Sequence, residues 1–286
     1  MKRIVVLKDK PYGFYAHQLD HYASRWMQMG YFVSYHYGAH DLPEADLIVP
    51  CIDKTRVDEE FVQMFIKTPA KVLNQGITDI SKRSFSALQV SQGDNYYGKV
   101  IVKPNNNAMG LPEFHGNNTL IKNLISRSPS DISADELRNS NENLSFGKYP
   151  IYNTPQDVPS HFWESKGLII ERFIDKPTDS KLYTVYFYSF FGNKGICGRL
   201  NSTDPVVRWN SSLISSEYIN PPSIVLDWKQ KHKIDFGRFD FMKLQHDYVL
   251  IDINKTEGGG GSKDIPKYID EFWYLSRGIK DYLPSL

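Results

Sequence analysis

The sequence has almost no excess charge, few cysteines and no long apolar run, and each shortage closes off a class of function. Thirty-four basic side chains stand against thirty-three acidic ones, a net charge of +1, which leaves no global field to recruit nucleic acid or an anionic membrane. Any polyanion must be held locally. The two cysteines, Cys51 and Cys197, lie in apolar strand-like segments (ADLIVPCI and GICGRL), where a free thiol behaves as a small buried hydrophobe. The N-terminal MKRIVVLKDK offers only four consecutive apolar residues before charge returns. That is far short of a signal-peptide core, and no run approaches a membrane span, so a cytoplasmic protein is expected. No GxGxxG follows the first strand, which leaves a dinucleotide site there without its fingerprint.

What is present suits a folded enzyme with a cleft. At 286 residues, with 41% hydrophobic, 23% charged and 14% aromatic side chains, the chain can fill more than one core. Over residues 1–75, strand signals (KRIVVLK, YFVSYHY, ADLIVPCI, KVLNQ) alternate with helical stretches at 15–29, closed by Gly30, and at 57–67. This order predicts a small parallel α/β layer. A second α/β region follows, with SKRSFSALQV as a helix and KVIVKP as an apolar strand ending in Lys103 and Pro104. Residues 105–147 turn polar and rich in Asn and Ser, a long excursion that holds at most one helix (IKNLI). Order returns with GLIIERFI, then with LYTVYFYSFF and GICGRLNS, two strands joined at Gly192 and Asn193. Tyr12, His17 and Trp26 could line an acceptor pocket, but aromatic residues at helical spacing are more often core, and no role is assigned to them.

The chemistry concentrates in two strands near the C-terminus. In FGRFDFMKL, alternation groups Arg238, Asp240 and Met242 against Phe239 and Phe241; in YVLIDINKT it groups Leu250, Asp252 and Asn254 against Val249, Ile251 and Ile253. A three-residue loop of Gln245, His246 and Asp247 would pair Leu244 with Tyr248 and set Asp240 opposite Asp252 and Arg238 opposite Asn254. A two-residue loop would mix the faces. Opposed carboxylates repel unless something positive lies between them. Two carboxylates and an Asn amide oxygen form an all-oxygen set that suits magnesium, which takes its remaining ligands from water and substrate phosphates. The competing reading is a solvated sheet face with Arg238 as a surface counter-ion. The glycine run 258–261, between Thr256 and Ser262, presents backbone N–H groups suited to an anion; a flexible linker is the alternative.

The Arg-x-Asp strand GRFDFM, the acid-x-Asn strand and the small-residue loop in LIDINKTEGGGG resemble the signature of the ATP-grasp superfamily, in particular its amino-acid and peptide ligases. The resemblance covers residues 75–275. It implies an α/β (α+β) fold with an N-terminal pre-ATP-grasp lobe over 1–75 and an ATP-grasp domain over 76–286. The central lobe of that domain would span about 76–170 and the C-terminal lobe about 171–286. It also implies ATP and Mg2+, with two ions, as cofactors. Asp240, Asp252 and Asn254 would be the metal ligands, with Asp252 standing where Glu is commoner.

By position in the motif order, Lys82 and Lys103 resemble the two nucleotide-contacting lysines. GLIIERFI resembles the adenine hinge, with Glu171 bonding the adenine amino group and the backbone of Arg172, Phe173 and Ile174 lining the ring edge. Asp179 or Lys181 resembles a ribose or triphosphate contact. Arg238 and Arg199 would offset charge developing on phosphate or acyl oxygen, with surface pairing the alternative for Arg199. NNNAMG, after Lys103, departs from a glycine-rich phosphate lid, so the grip on ATP would fall to Asn side chains or to the 105–147 excursion. The implied activity is an ADP-forming ligase that joins a small-molecule carboxylate to an amine through an acyl phosphate, with a homodimer as an option. The residues around 238–262 offer no general base of suitable pKa, which favours an amine over a hydroxyl acceptor. Two rivals remain: a phosphotransferase on the same scaffold, and a non-catalytic nucleotide-binding module, for which NNNAMG is the main argument.

Overall fold

The computed structural model describes residues 1–9, 18–113, 149–207, 213–258 and 265–283. The IKNLI helix expectation, Tyr12, His17 and most of the glycine run lie outside these residues, as does the excursion beyond residue 113. Twelve strands, β1 to β12, form three sheets among the described residues.

The first sheet is parallel, in the order β2-β1-β3-β4, from β1 (Arg3–Lys8), β2 (Phe32–Tyr37), β3 (Leu47–Cys51) and β4 (Lys71–Val72). Ile4 to Leu7 and Leu47 to Val49 are buried without alternation, as expected for strands covered on both faces. Helix α1 (Gln18–Gln28) contributes Leu19, Tyr22, Ala23 and Trp26, one face at helical spacing. It ends before Gly30, whose φ of +90° is open to glycine at little cost. Helix α2 (Glu59–Lys67) covers the other face through Phe61 and Phe65.

KVLNQ yields only the two-residue β4. Asn74 turns out of the sheet at φ +54° and bonds to the segment that enters the largest sheet, accepting from Asp235 N at 2.7 Å and donating to Phe236 O at 2.9 Å.

Three antiparallel strands follow in the order β6-β5-β7: β5 (Val100–Pro104), β6 (Ile151–Tyr152) and β7 (Leu168–Arg172). Their core joins Val100, Val102, Leu168 and Ile170 to Phe162 of α4 (Ser160–Glu164). SKRSFSALQV forms only a single helical turn, α3 (Lys82–Phe85). Its polar residues find tertiary partners instead, since Arg83 donates through its side chain to Leu168 O at 2.6 Å.

The third sheet is antiparallel in the order β10-β9-β8-β11-β12, from β8 (Tyr183–Phe191), β9 (Lys194–Ser202), β10 (Leu213–Ile219), β11 (Phe236–Leu244) and β12 (Asp247–Asn254). One face packs Phe190, Phe239, Phe241 and Ile253 against Val225 and Trp228 of α5 (Ile224–Lys231). The C-terminal helix α6 (Ile265–Ser276) and the turn after it return to the first sheet. Phe272, Leu275 and Ile279 share a core with Trp26, Phe191 and Phe236, and Trp26 Nε1 donates to Ser276 O at 2.9 Å. The chain's two ends and the largest sheet are thus packed around one apolar cluster. No described helix is long and apolar enough to cross a membrane.

Candidate functional site

The β11–β12 hairpin sets the acids opposite each other, but by a different route from the one the alternation suggested. The turn has two residues, with Leu244 paired to Asp247 and Gln245 at φ +57°. A register shift between Asp240 and Phe241 then places Phe241 against Leu250 and Asp240 against Asp252. Ile251 is the extra residue of a β-bulge. The bulge cancels the mixing of faces that a two-residue loop would cause, so Arg238 still lies opposite Asn254. The correction falls on Leu250, which joins Phe241 and Ile253 in the core instead of sharing a face with Asp252.

On the acid face, Arg238 Nε lies 2.7 Å from Asp240 Oδ1 and Lys82 Nζ lies 3.2 Å from Asp252 Oδ1. Burial, with Asp252 adding to it, holds the Asp240 carboxyl above its usual pKa against the pull of Arg238. Burial lowers the Lys82 pKa, but Asp252, Tyr149 and Glu171 outweigh it and the net shift is upward. Asp252 Oδ1 is buried with no aligned hydrogen-bond donor, so the Lys82 contact is an ion pair of poor geometry. Asn254 Oδ1 accepts from Thr256 N at 3.1 Å.

The donor set fits a hard divalent cation: two opposed carboxylates and an amide oxygen are all-oxygen ligands, and Asp252 Oδ1 lacks an aligned hydrogen-bond partner. No group of three His, Cys, Asp or Glu side chains suited to a metal occurs among the described residues. The Asn254 oxygen and ligands from elsewhere would have to complete such a site.

Lys103 and Glu171 stand on one face of the β5–β7 pair, since Lys103 is opposite Ile169, two residues before Glu171. Their charges lie 2.8 Å apart, with Glu171 fully buried. Burial raises the Glu171 pKa, but Lys103, Ser86 and Lys82 outweigh it and hold the carboxyl below its usual range. The order Lys103, Glu171, Lys82, Asp252, Asp240, Arg238 thus alternates in sign from the central sheet to the hairpin, apart from the acid pair. In the segment expected to be the hinge, Arg172 N donates to Leu88 O and Phe173 N to Lys99 O, each at 2.8 Å. Arg172 stacks on Tyr96, and Ile174 is buried. Asp179 and Lys181 are exposed on the connection to β8, and the structure does not bring them against the charged row.

Arg199 does not reach the site. Register places it beside Tyr186, which pairs with Phe241, so Arg199 belongs to the sheet face opposite Asp240. There it is ion-paired with Glu217 of the edge strand β10. NNNAMG is likewise not a lid. Asn105 Oδ1 accepts from Arg83 N at 2.9 Å, Asn107 Oδ1 accepts from Ala108 N at 2.9 Å, and Asn107 N donates to Thr55 Oγ1 at 2.8 Å. Both Asn side chains are buried. The segment is a strut between α3 and the loop after β3.

Two residues were missed by the alternation, because they lie past the end of β12 where period 2 no longer applies. Glu257 Oε2 accepts from Ser189 Oγ at 2.9 Å and from Gln18 Nε2 at 3.2 Å. Burial pushes its pKa up to about 7, against the pull of Arg238. This corrects the expectation that no general base of suitable pKa stands here. Lys255 is buried, and burial lowers its pKa to about 8 despite nearby Glu113, Asp79, Asp53 and Asp9. The one available signal was a charged pair flanking Thr256 between a buried strand and a glycine run.

No protein-family model matches the chain, and no curated protein matches it in sequence. Solved structures match it in shape. The ATP-grasp ligase PsnB complexed with a minimal precursor superposes with a TM-score of 0.53 at 8% identity, covering 99% of each chain. A RiPP-associated ATP-grasp ligase from Chryseobacterium gregarium, in complex with ADP and a leader and core peptide, gives 0.51 at 9%, covering 99% of this chain and 96% of that one. A RimK domain ATP-grasp protein from Sphaerobacter thermophilus gives 0.50 at 8%, covering 99% and 100%. The chain has the ATP-grasp fold.

Proposed function

We propose that this ATP-grasp chain is an ADP-forming ligase that joins a carboxylate to an amine, with its catalytic domain beginning near residue 76. The observation that carries the reading is the convergence of Lys82, Lys103, Arg238 and the opposed Asp240 and Asp252 from three segments far apart in sequence. Such a row suits a polyphosphate, because its cations can turn to phosphate oxygens while the opposed acids hold the accompanying cation. Lys82 and Lys103 would hold the phosphates. The hinge from Glu171 to Ile174 would take the adenine, with Asp179 or Lys181 near the ribose. Magnesium, for which the oxygens of Asp240, Asp252 and Asn254 are suited, would supply charge neutralisation on the phosphate oxygens.

A substrate carboxylate oxygen would then form a bond to the γ-phosphorus as the bridging oxygen leaves with ADP. The amine nitrogen next bonds to the acyl carbon, phosphate departs, and the nitrogen gives up a proton. Arg238 is placed to offset negative charge in both transfers. The solved neighbours named as ligases, one of them with ADP and peptides bound, support nucleotide use and admit a peptide among the acceptors.

Glu257 gives one rival a specific footing. A carboxyl with a pKa of about 7 beside Arg238 is suited to take a proton from a hydroxyl as well as from an ammonium, which keeps the phosphotransferase alternative open. The test is incubation with Mg-ATP, hydroxylamine and a panel of carboxylates. A hydroxamate formed together with ADP and free phosphate is expected. A stable phosphorylated product without hydroxamate or free phosphate would replace the ligase with a phosphotransferase.

A further inference from the structure

Strand β8 carries an aromatic residue that the apolar cores do not use. Tyr186, Tyr188 and Phe190 pack in the core with α5, and Phe191 packs in the core with α1 and α6. Phe187 belongs to no apolar cluster among the described residues and is only half-buried. Its register sets it opposite Asp240 of β11 on one side and opposite Gly198 of β9 on the other. It therefore stands on the face of the sheet that carries Arg238 and the acid pair. A large apolar ring on a charged face calls for a partner other than the core.

That partner is Arg238. Its guanidinium carbon lies over the Phe187 ring, 4.7 Å from the centroid, inside the roughly 6 Å reach of a cation–π contact. Its Nε donates to Asp240 Oδ1 at 2.7 Å, and no described residue accepts from its two Nη groups. The carboxylate thus holds one edge of the guanidinium, and the ring holds its plane. Ser189, opposite Arg238, is committed to Glu257. The ring in turn depends on Gly198: a Cβ there would lie 2.6 Å from Phe187 Cε1 and 2.7 Å from Cζ, so the ring leans into space that glycine alone leaves open. Arg238 and Asp240 keep 28% and 26% of their side-chain surface exposed, so the stack ends at a face that a ligand can reach.

We infer that Phe187, seated on Gly198, is a positioning residue for Arg238, holding the guanidinium so that its outer edge meets the charge developing on the transferring phosphate or acyl oxygen. The inference rests on the role given to Arg238 in the proposed reaction; the stack itself does not. A single hydrogen bond to Asp240 is a pivot about which the guanidinium can swing, and a misplacement of about 1 Å costs up to roughly a hundredfold in rate. An aliphatic side chain would fill much of the same volume but offer the cation no π face.

The test compares the wild type with Phe187→Leu, with Gly198→Ala, and with a full chain carrying a ring-difluorinated phenylalanine at position 187, which keeps the ring's shape and drains its π face. ADP release under Mg-ATP is followed, since it accompanies ligation and phosphoryl transfer alike. Phe187→Leu and Gly198→Ala should each lower kcat by roughly tenfold, and the fluorinated ring by about threefold. KM for Mg-ATP should stay within about twofold, because the lysines hold the phosphates before transfer. Gly198→Ala should add less than about twofold to Phe187→Leu, and Phe187→Leu should add as little to Arg238→Gln. A second arm needs no turnover. It follows the Arg238 Nε–H nuclear magnetic resonance, assigned by its loss in Arg238→Gln: Phe187→Leu should remove its ring-current shift and speed its exchange with solvent. An unchanged kcat in the fluorinated protein, full additivity with Arg238→Gln, or a resonance that Phe187→Leu leaves in place overturns the inference. A wild type that releases no ADP with any carboxylate counts against the ligase reading instead, and the resonance still decides whether the ring holds Arg238.

Discussion

The row from Lys103 to Arg238 and the surroundings of Lys255 are both buried gatherings of charge, and they meet the cost of burial differently. In the row, each cation has a carboxylate within 3.2 Å. Lys255 Nζ and Glu113 Oε2 have no such partner among the described residues. A paired row holds its geometry before any ligand arrives, and its uncompensated feature is confined to Asp240 and Asp252. An unpaired buried charge instead costs stability wherever it stays ionised. The two regions should therefore respond oppositely to loss of one charge: the row by losing function or stability, the unpaired cluster by gaining stability.

The largest expected effect is on the row. Asp252→Asn should lower turnover on the order of a thousandfold and remove the Mg-ATP shift in Tm. Its apo Tm should stay within a few degrees of wild type, because relief of repulsion with Asp240 offsets the lost contact to Lys82. ADP release and paired melts check both; an unchanged Mg-ATP shift would reject the metal assignment.

Lys103→Met should cost about 3–5 kcal/mol, since it strands a fully buried carboxylate. The pH dependence should change sign with it. In the wild type the Glu171 pKa lies below its reference of 4.5, so its contribution is present above that value and is lost as pH falls through the folded pKa. Without Lys103, burial dominates and raises the folded pKa, so the variant should lose stability as pH rises above 4.5. Urea melts from roughly pH 2 to pH 8, which span both the wild-type loss below 4.5 and the variant's loss above it, would show the inversion.

A smaller effect is expected at Glu257, between the two regions. Its folded pKa of about 7 lies above the reference of 4.5, so the carboxyl costs stability progressively as pH rises between those values, and the cost persists above them. Glu257→Gln should therefore be more stable than wild type at pH 8, roughly one pH unit above that pKa, by about 1–3 kcal/mol. If the group accepts a proton in the reaction, the acid limb of the rate profile near pH 7 should disappear in the variant. A limb that survives assigns it to another group.

The smallest effect marks the boundary of the site. Arg199→Ala breaks a half-exposed ion pair with Glu217, worth about 0–1 kcal/mol, and should leave turnover within about twofold of wild type. A large loss of turnover would return Arg199 to the site.

Much of the molecule follows from local pattern. Continuous apolar strands separated by amphipathic helices dictated the parallel first sheet, because only strands covered on both faces bury every residue. The Arg-x-Asp and acid-x-Asn strands dictated an acid face, because the period of 2 fixes which side chains can meet. The two lysines stood out only through motif order; their carboxylate partners, Glu171 and Asp252, are separated from them by 68 and 170 residues (171 − 103 and 252 − 82).

Tertiary structure decided the rest. A bulge at Ile251, not the loop length, aligned Asp240 with Asp252 and sent Leu250 to the core. Strand order put Arg199 on the far face, and long-range hydrogen bonds turned Asn105 and Asn107 into a strut. Glu113, Lys255 and Glu257 carry no periodic signal at all. Their burial and their neighbours come from chain ends and turns meeting across the fold, and the free energy of a charge is set by what surrounds it in space.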